Sequence, residues 1–461
     1  MKYLSYTLIA IVALLTTSCG EDRSGEFYAL IEDRMWIEET MKKHYLWYEE
    51  MPTIKNEYDY FKQPESFFKG LLSKQALNGK GDKYSYMETT GNKETARAIT
   101  LERTSTYGME FQLTTDPTGT TNHTFARILY VLPESPADKA GIRRGDWITS
   151  INEQRITNDN YPLMKQGNTL ELTRGTLVRI DDLWNWEKQD TLTVSPSVTM
   201  ETNPFLVNNL YTIDGLKIAY MVYNEFAAGP MNNASESTYN EQMKQIFTQF
   251  KAQNPDAFIL DLRYNNGGYL QCAQALGSLL APTTAMGKEF IKLTFNNQTD
   301  PQSIHYVLDE QYAEANLGLS KIYILTSELT ASASEAVING LIPYLGSENV
   351  VLIGTRTEGK NVAMTSYTNE AHGLTIYPVV AYVANAEDNN NYSNGFEPQY
   401  LLDENKEPTW YALGDPEEFL LKNTLSLIVT GTMPDITPAA KSNIQVTGCS
   451  IAPKNHRINL N

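Results

Sequence analysis

Residues 258–268 read Phe-Ile-Leu-Asp-Leu-Arg-Tyr-Asn-Asn-Gly-Gly, and residues 325–335 read Leu-Thr-Ser-Glu-Leu-Thr-Ala-Ser-Ala-Ser-Glu. The first opens on a continuous apolar run, Ala257 to Leu262, suited to a strand inside a sheet. It ends in two glycines, which let a backbone approach a substrate closely. The second continues another buried strand, Ile322 to Thr326, and leads into a helix from Ser334 to Tyr344 that Pro343 helps to end. A third buried strand, Val350 to Gly354, is followed by Thr355-Arg-Thr-Glu-Gly-Lys360. With the strand Ile218 to Val222 and helical patterns at Tyr239 to Phe250 and Leu270 to Leu280, the stretch from about Leu206 to Leu427 alternates strand and helix. That alternation predicts an α/β core.

A serine at the mouth of a helix has an exposed hydroxyl. The N–H of the next residue points out of the helix start, where backbone donors have no internal partner. Ser332 is therefore the candidate nucleophile. The N–H of Ala333, with that of Gly267 or Gly268, is a candidate oxyanion donor. A hydroxyl requires a base, and the five histidines, His44, His123, His305, His372 and His456, sit in no hydrolase motif. Lys360 is the candidate base, because burial disfavours a charged amine and lowers its pKa toward neutrality. The neutral amine would take the serine proton and pass it to the leaving amine. The same residues have plainer readings: Ser332 or Ser334 as a helix cap, and Asp261 with Arg263 as a buried ion pair holding the glycine loop.

Outward from the core the pattern changes. Between about Thr104 and Val198, strand-like runs at Tyr107 to Phe111 and Phe125 to Leu132 precede Pro133-Glu-Ser-Pro-Ala-Asp-Lys-Ala-Gly-Ile142 and Arg144-Gly-Asp-Trp-Ile-Thr-Ser-Ile-Asn152. This succession resembles a bacterial PDZ domain. The resemblance makes Tyr107-Gly108-Met109-Glu110-Phe111 the carboxylate-binding loop, beside which a peptide C-terminus would add as a strand. A PDZ serving only as lid or spacer is the alternative. From Phe27 to Tyr48, apolar residues at helical spacing (Ile31, Ile37, Met41, Tyr45) predict a helix ended by Pro52, and a shorter one follows from Phe61 to Leu72.

The chain of 461 residues carries a net charge of −18. No basic patch stands out, which excludes nucleic acid as the expected partner. No CxxC or HExxH pattern occurs, so no metal or cofactor is expected. Cys272 falls in an apolar helical pattern and is read as a packed thiol. At the N-terminus, Lys2, the apolar run Leu8 to Leu15 and Thr16-Thr-Ser-Cys19 form the n- and h-regions of a secretory signal. The run is too short for a good membrane span. The small residues before Cys19 resemble the bacterial lipoprotein signal, with Cys19 as the lipidated residue; a plain secretory signal is the alternative. Acyl chains there would hold the protein on a membrane at about 0.8 kcal/mol per buried methylene. The expected location is the cell envelope, at the outer membrane.

Taken together, the motifs resemble the S41 family of serine peptidases, the C-terminal processing (tail-specific) proteases. Asp261 to Gly268 matches that family's Asp-Leu-Arg-x-Asn-x-Gly-Gly pattern, and Thr330 to Glu335 its Thr-Ala-Ser-Ala-Ser-Glu. Asn394-Gly-Phe-Glu-Pro398 resembles its strand entry after the active site, and the N-terminal Trp-Tyr region looks like its Bacteroides-type lipoprotein members. The resemblance implies Ser332 as nucleophile and Lys360 as base, acting on a protein or peptide substrate held through its C-terminus. It implies a multidomain α+β chain: a signal over 1–19, an N-terminal helical domain over 20–100, a PDZ-like domain over 101–200, a ClpP/crotonase-like α/β core over 201–430 and a loosely held tail over 431–461. The chain departs from the pattern at Met364, where relatives carry a Gln or Asp that orients the lysine; Asn361 or Glu358 would have to substitute. A lipid-anchored peptide-binding protein with an inactive core, and an esterase or amidase, are the rival functions.

Overall fold

The computed structural model describes residues 24–89, 105–180, 183–230, 235–407, 409–435 and 444–451. The signal and Cys19 lie outside these residues, as does most of the tail.

A six-stranded sheet forms the centre. Its order is Phe205–Ile213, Leu216–Tyr223, Ala257–Asp261, Ile322–Thr326, Val350–Gly354 and Tyr400–Leu401. The first pair is antiparallel and the rest run parallel. Both faces are buried, and the alternation along each strand sorts side chains into two cores. Ala219, Phe258, Leu260 and Ile324 meet the helices Thr238–Ala252, Leu270–Leu280 and Ala333–Leu345 on one face. Ile218, Ile259, Leu325 and Ile353 meet Phe419–Thr430 on the other.

The predicted strands and helices of this core are present. Pro343 does not end its helix, which runs on to Leu345. The proline cannot donate to the carbonyl of Asn339 one turn back, and the side chain of Asn385 donates to that carbonyl instead, at 3.2 Å. The helix stops at Gly346, whose φ is 84°.

The N-terminal helices, Ser24–His44 and Pro64–Leu71, do not close a core of their own. Ile37, Met41, Tyr45 and Phe68 share one cluster with Val362, Met364, Ile376 and Val379 from the strands that follow Lys360. The strand Tyr86–Thr89 pairs with Leu374–Tyr377, so the N-terminal region is stitched to the core by a sheet as well.

The PDZ-like sheet is ordered Val446–Cys449, Met109–Thr115, Thr124–Val131, Trp147–Ile151, Leu170–Ile180 and Leu183–Val194. Its outermost strand corrects the expectation of a loosely held tail: residues 446–449 pair antiparallel with Met109–Thr115.

Candidate active site

The glycine loop and the serine turn are tied together through backbone acceptors. The Leu262 carbonyl accepts from Thr330 Oγ1 at 2.9 Å. The Asn265 carbonyl accepts from the Ala331 N–H at 3.1 Å and from Ser334 Oγ at 2.9 Å. Ser334 is therefore not the helix cap; its hydroxyl fastens the helix to the glycine loop.

Ser332 precedes the helix with φ 61° and ψ −114°. That is a left-handed conformation rare outside glycine, costing of order 1–3 kcal/mol and characteristic of functional sites. Its Oγ is buried with no hydrogen-bond partner among the described residues, while its backbone N–H and Glu335 form one arm of a capping box. Gly267, at φ 104°, packs against it so closely that an added Cβ would stand 2.8 Å from Ser332 Cβ. At Gly268 an added Cβ would stand 2.3 Å from the Phe226 carbonyl oxygen. These contacts, as much as the backbone angles, require glycine at both positions.

The two glycines differ as donors. The Gly267 N–H is given to Asn265 Oδ1 at 2.8 Å, which removes it from the candidate oxyanion donors. The N–H groups of Gly268 and Ala333 donate to no other described group. Asn265 is itself fixed by donating from Nδ2 to the Tyr223 carbonyl at 2.8 Å.

Glu335 organises the rest. Its Oε2 accepts from the Ser332 N–H at 3.0 Å and from the Lys360 N–H at 2.7 Å. Its Oε1 accepts from the Gly359 N–H at 2.7 Å and from Thr357 Oγ1 at 2.5 Å. One buried carboxylate thus holds the backbones of the candidate nucleophile and the candidate base. Burial pushes its pKa up, the four donors pull it back, and it settles at about 7.

Lys360 is fully buried, and its Nζ lies 5.3 Å from the centre of the Tyr84 ring. Burial lowers its pKa to about 7, against the opposing pull of Asp82, Glu335 and Glu358. The residues over it come from the N-terminal region: Lys83 Nζ pairs with Glu358 at 2.5 Å, and Tyr84 Oη donates to the same carboxylate at 3.4 Å. Glu358 therefore faces Lys83 and Tyr84, Asn361 donates to the Asn390 carbonyl at 2.7 Å, and Met364 is part of the shared N-terminal core. The residue that reaches the lysine backbone is Glu335. The signal for it was in the sequence as Ser332-x-x-Glu335, the spacing of a capping box.

The expected ion pair of Asp261 and Arg263 is present, with Arg263 Nη2 to Asp261 Oδ2 at 2.8 Å. It is part of a larger buried cluster. Arg263 also bonds Glu404 and Glu418, each at 2.7 Å, and Arg144 from the PDZ-like region reaches Glu404 at 2.7 Å and the Tyr264 hydroxyl at 2.5 Å.

In the predicted carboxylate-binding loop, Tyr107, Met109 and Phe111 are buried in the PDZ-like core. The Gly108 N–H donates to Thr106 Oγ1 at 2.9 Å, and Glu110 accepts from Ser450 Oγ. Cys272 is a buried free thiol whose pKa burial pushes up to about 12.

Three stretches match known family models: the peptidase S41 N-terminal domain over residues 34–86, a PDZ domain over 127–162 and peptidase family S41 over 217–402. A crystal structure of a candidate S41 protease from Bacteroides fragilis superimposes with a TM-score of 0.74 at 31% identity, covering 86% of this chain and 97% of that one. The chain belongs to peptidase family S41. The S41 match spans Gly267, Gly268, Ser332, Glu335 and Lys360; the PDZ match begins after the loop at 107–111 and includes Arg144. The chain is 27% identical over 245 residues to a carboxyl-terminal-processing protease of Picosynechococcus, covering 52% of each. It is 26% identical over 275 residues to the carboxy-terminal processing protease CtpA of Bacillus subtilis, covering 59% of this chain and 52% of that one. It thus spans about half the length of these curated relatives.

Proposed function

We propose that this S41 core is a serine endopeptidase working through a dyad of Ser332 and Lys360, on substrates whose C-terminal stretch is held by the PDZ-like domain. The observation that carries the reading is the Glu335 carboxylate oxygen shared by the Ser332 and Lys360 backbones. With a lysine pKa of about 7, a large share of the amine is neutral at physiological pH. The neutral amine takes the Ser332 proton, and Oγ attacks the peptide carbonyl. The Gly268 and Ala333 N–H groups receive the developing oxyanion; a donor of this kind is worth ~10²–10³ in rate. Lys360 then protonates the leaving amine, and water releases the acyl group by the reverse path. Ser332 Oγ has no hydrogen-bond partner among the described residues, which leaves it available to the Lys360 amine.

Incubation with a peptide library followed by mass spectrometry tests this directly. New termini should appear with the wild-type chain and be absent with Ser332→Ala. Identical products from the two chains, or none from either, would favour the inactive peptide-binding alternative. Preference for esters over peptides would favour the esterase reading. Lipidation belongs to the same proposal and rests on the Thr16-Thr-Ser-Cys19 signal. Cells fed a labelled fatty acid should label the wild-type protein and leave Cys19→Ser unlabelled; equal labelling would remove the anchor.

A further inference from the structure

The outermost strand of the PDZ-like sheet is the chain's own C-terminal segment. Val446 faces Thr114 and Cys449 faces Gln112, antiparallel, along the strand that follows the 107–111 loop. PDZ domains bind extended peptides by adding a strand at a sheet edge. Residues 446–451 run along that edge toward the loop, the direction a C-terminal peptide would take. The contacts are main-chain in character, as for an added ligand. The Thr115 N–H donates to the Gln445 carbonyl at 2.9 Å and the Ser450 N–H to the Phe111 carbonyl at 2.7 Å. The Phe111 N–H donates to Ser450 Oγ at 2.8 Å, and that hydroxyl donates to Glu110.

The segment does not stop at the PDZ-like domain. The Ile451 carbonyl accepts from Asn266 Nδ2, and Asn266 directly precedes Gly267 and Gly268. Cys449 and Ile451 pack beside Leu129, Tyr264 and Trp410. The segment therefore links the peptide-binding edge to the candidate oxyanion loop. The strand is four residues long, with a break in register between Val446 and Gly448. Ile444 and Val446 wall an open cleft with Gln112, Tyr264 and Glu328 and do not fill it.

We propose that residues 444–451 are a tethered ligand of the PDZ edge, which a substrate strand must displace before its chain can pass Asn266 to Ser332. The consequence for turnover rests on the peptidase reading; the binding itself does not. A short tether presents its ligand at an effective concentration in the millimolar range, enough to mask an edge that binds free peptide micromolar. Glu110 gives the edge a preference. A hydroxyl at the place of Ser450 can donate to its carboxyl group.

The test uses the full chain carrying Ser332→Ala, so that no peptide is cut. A fluorescent synthetic peptide of residues 444–451, kept reduced, is titrated against this chain. It is also titrated against the same chain ending at Asp435 and against the same chain with Ser450→Pro, which loses both Ser450 contacts to Phe111 but keeps the segment. Both altered chains should bind the peptide at least tenfold more tightly than the full chain. Equal affinity for all three, or no binding to either altered chain while its melting transition is intact, overturns the proposal. With Ser332 restored, removal of the segment should lower KM for a peptide substrate at least threefold and leave kcat within twofold. A fall in kcat at unchanged KM overturns it as well. If no chain turns over, the peptidase reading fails while the binding result stands.

Discussion

Two buried glutamates, Glu335 and Glu404, stand in this molecule with opposite protonation behaviour. Burial alone would raise both. At Glu404, Arg144 and Arg263 overcome burial and hold the carboxyl well below the usual carboxylate range. At Glu335 the partners are three backbone N–H groups and one hydroxyl, and the pKa stays up near 7. The cationic side chain nearest in function, Lys360, is itself pushed down to about 7. The difference is the counter-charge. Fixed guanidinium groups make Glu404 a permanent anion suited to holding domains together. Neutral donors leave Glu335 and Lys360 able to change protonation state near physiological pH, as acid–base chemistry requires.

The comparison can be broken from either side. The largest expected effect is at the dyad: Ser332→Ala or Lys360→Ala should lower peptide turnover by ~10⁴ or more while circular dichroism stays unchanged. A variant retaining a tenth of the activity would remove that residue from the chemistry. Next comes the arginine cluster. Arg263→Met removes a buried counter-charge shared by Asp261, Glu404 and Glu418, and chemical denaturation should show a loss of ~3–5 kcal/mol. A loss below ~1 kcal/mol would mean that the cluster does not hold the glycine loop and the PDZ-like region to the core. The stability that Glu404 draws from the arginines is fully present above its unfolded pKa near ~4.5 and declines as pH falls below it.

Smaller but more specific is Glu335→Gln. The amide brings two donors to a point where four donors already converge. Turnover should fall ~10²-fold, and the pH midpoint should move down, because the Glu335 charge holds the Lys360 pKa up. A fall in rate with the midpoint unmoved would make Glu335 a packing residue only. Smallest is a gain. The folded Lys360 pKa lies below its ordinary value of 10.5, so the unfolded chain binds the extra proton between about pH 7 and 10.5. The cost of burying this lysine is therefore greatest at and below neutral pH and fades as pH rises toward 10.5. Lys360→Met should stabilise the fold by ~1–4 kcal/mol at pH 7 and by less at pH 10. Stabilisation independent of pH would argue that the amine is not desolvated.

Much of the core was legible because its signals are local. The strands Ile322–Thr326 and Val350–Gly354 are continuous apolar runs, and Leu270–Leu280 has helical spacing between clear breaks. The pairing of Ser332 with the glycines was legible as a family pattern. What escaped depends on partners far apart in the chain. Arg263 meets Glu404 across 141 residues, and nothing near either marks the other. The arginine that ties the PDZ-like region to the core, Arg144, lies in a turn motif whose second arginine looks solvent-facing in sequence. The strand Val446–Cys449 is only four residues long, with a glycine inside it, and exists because an edge awaits it. In the sequence Glu335 stood only as the last residue of the Thr330 to Glu335 family pattern. Reading it as the link to Lys360 required knowing that the loop from Thr357 to Lys360 folds back over the helix start.

The central claim is that a buried, neutral Lys360 activates Ser332. The rate of covalent labelling of Ser332 by a peptidyl phosphonate, followed by intact mass from pH 5 to 9, tests it most directly. The account predicts one adduct, a rate that rises through a midpoint near pH 7 as the amine loses its proton, and loss of that rise in Lys360→Ala. A rate flat across this range, or a profile unchanged by Lys360→Ala, would contradict it.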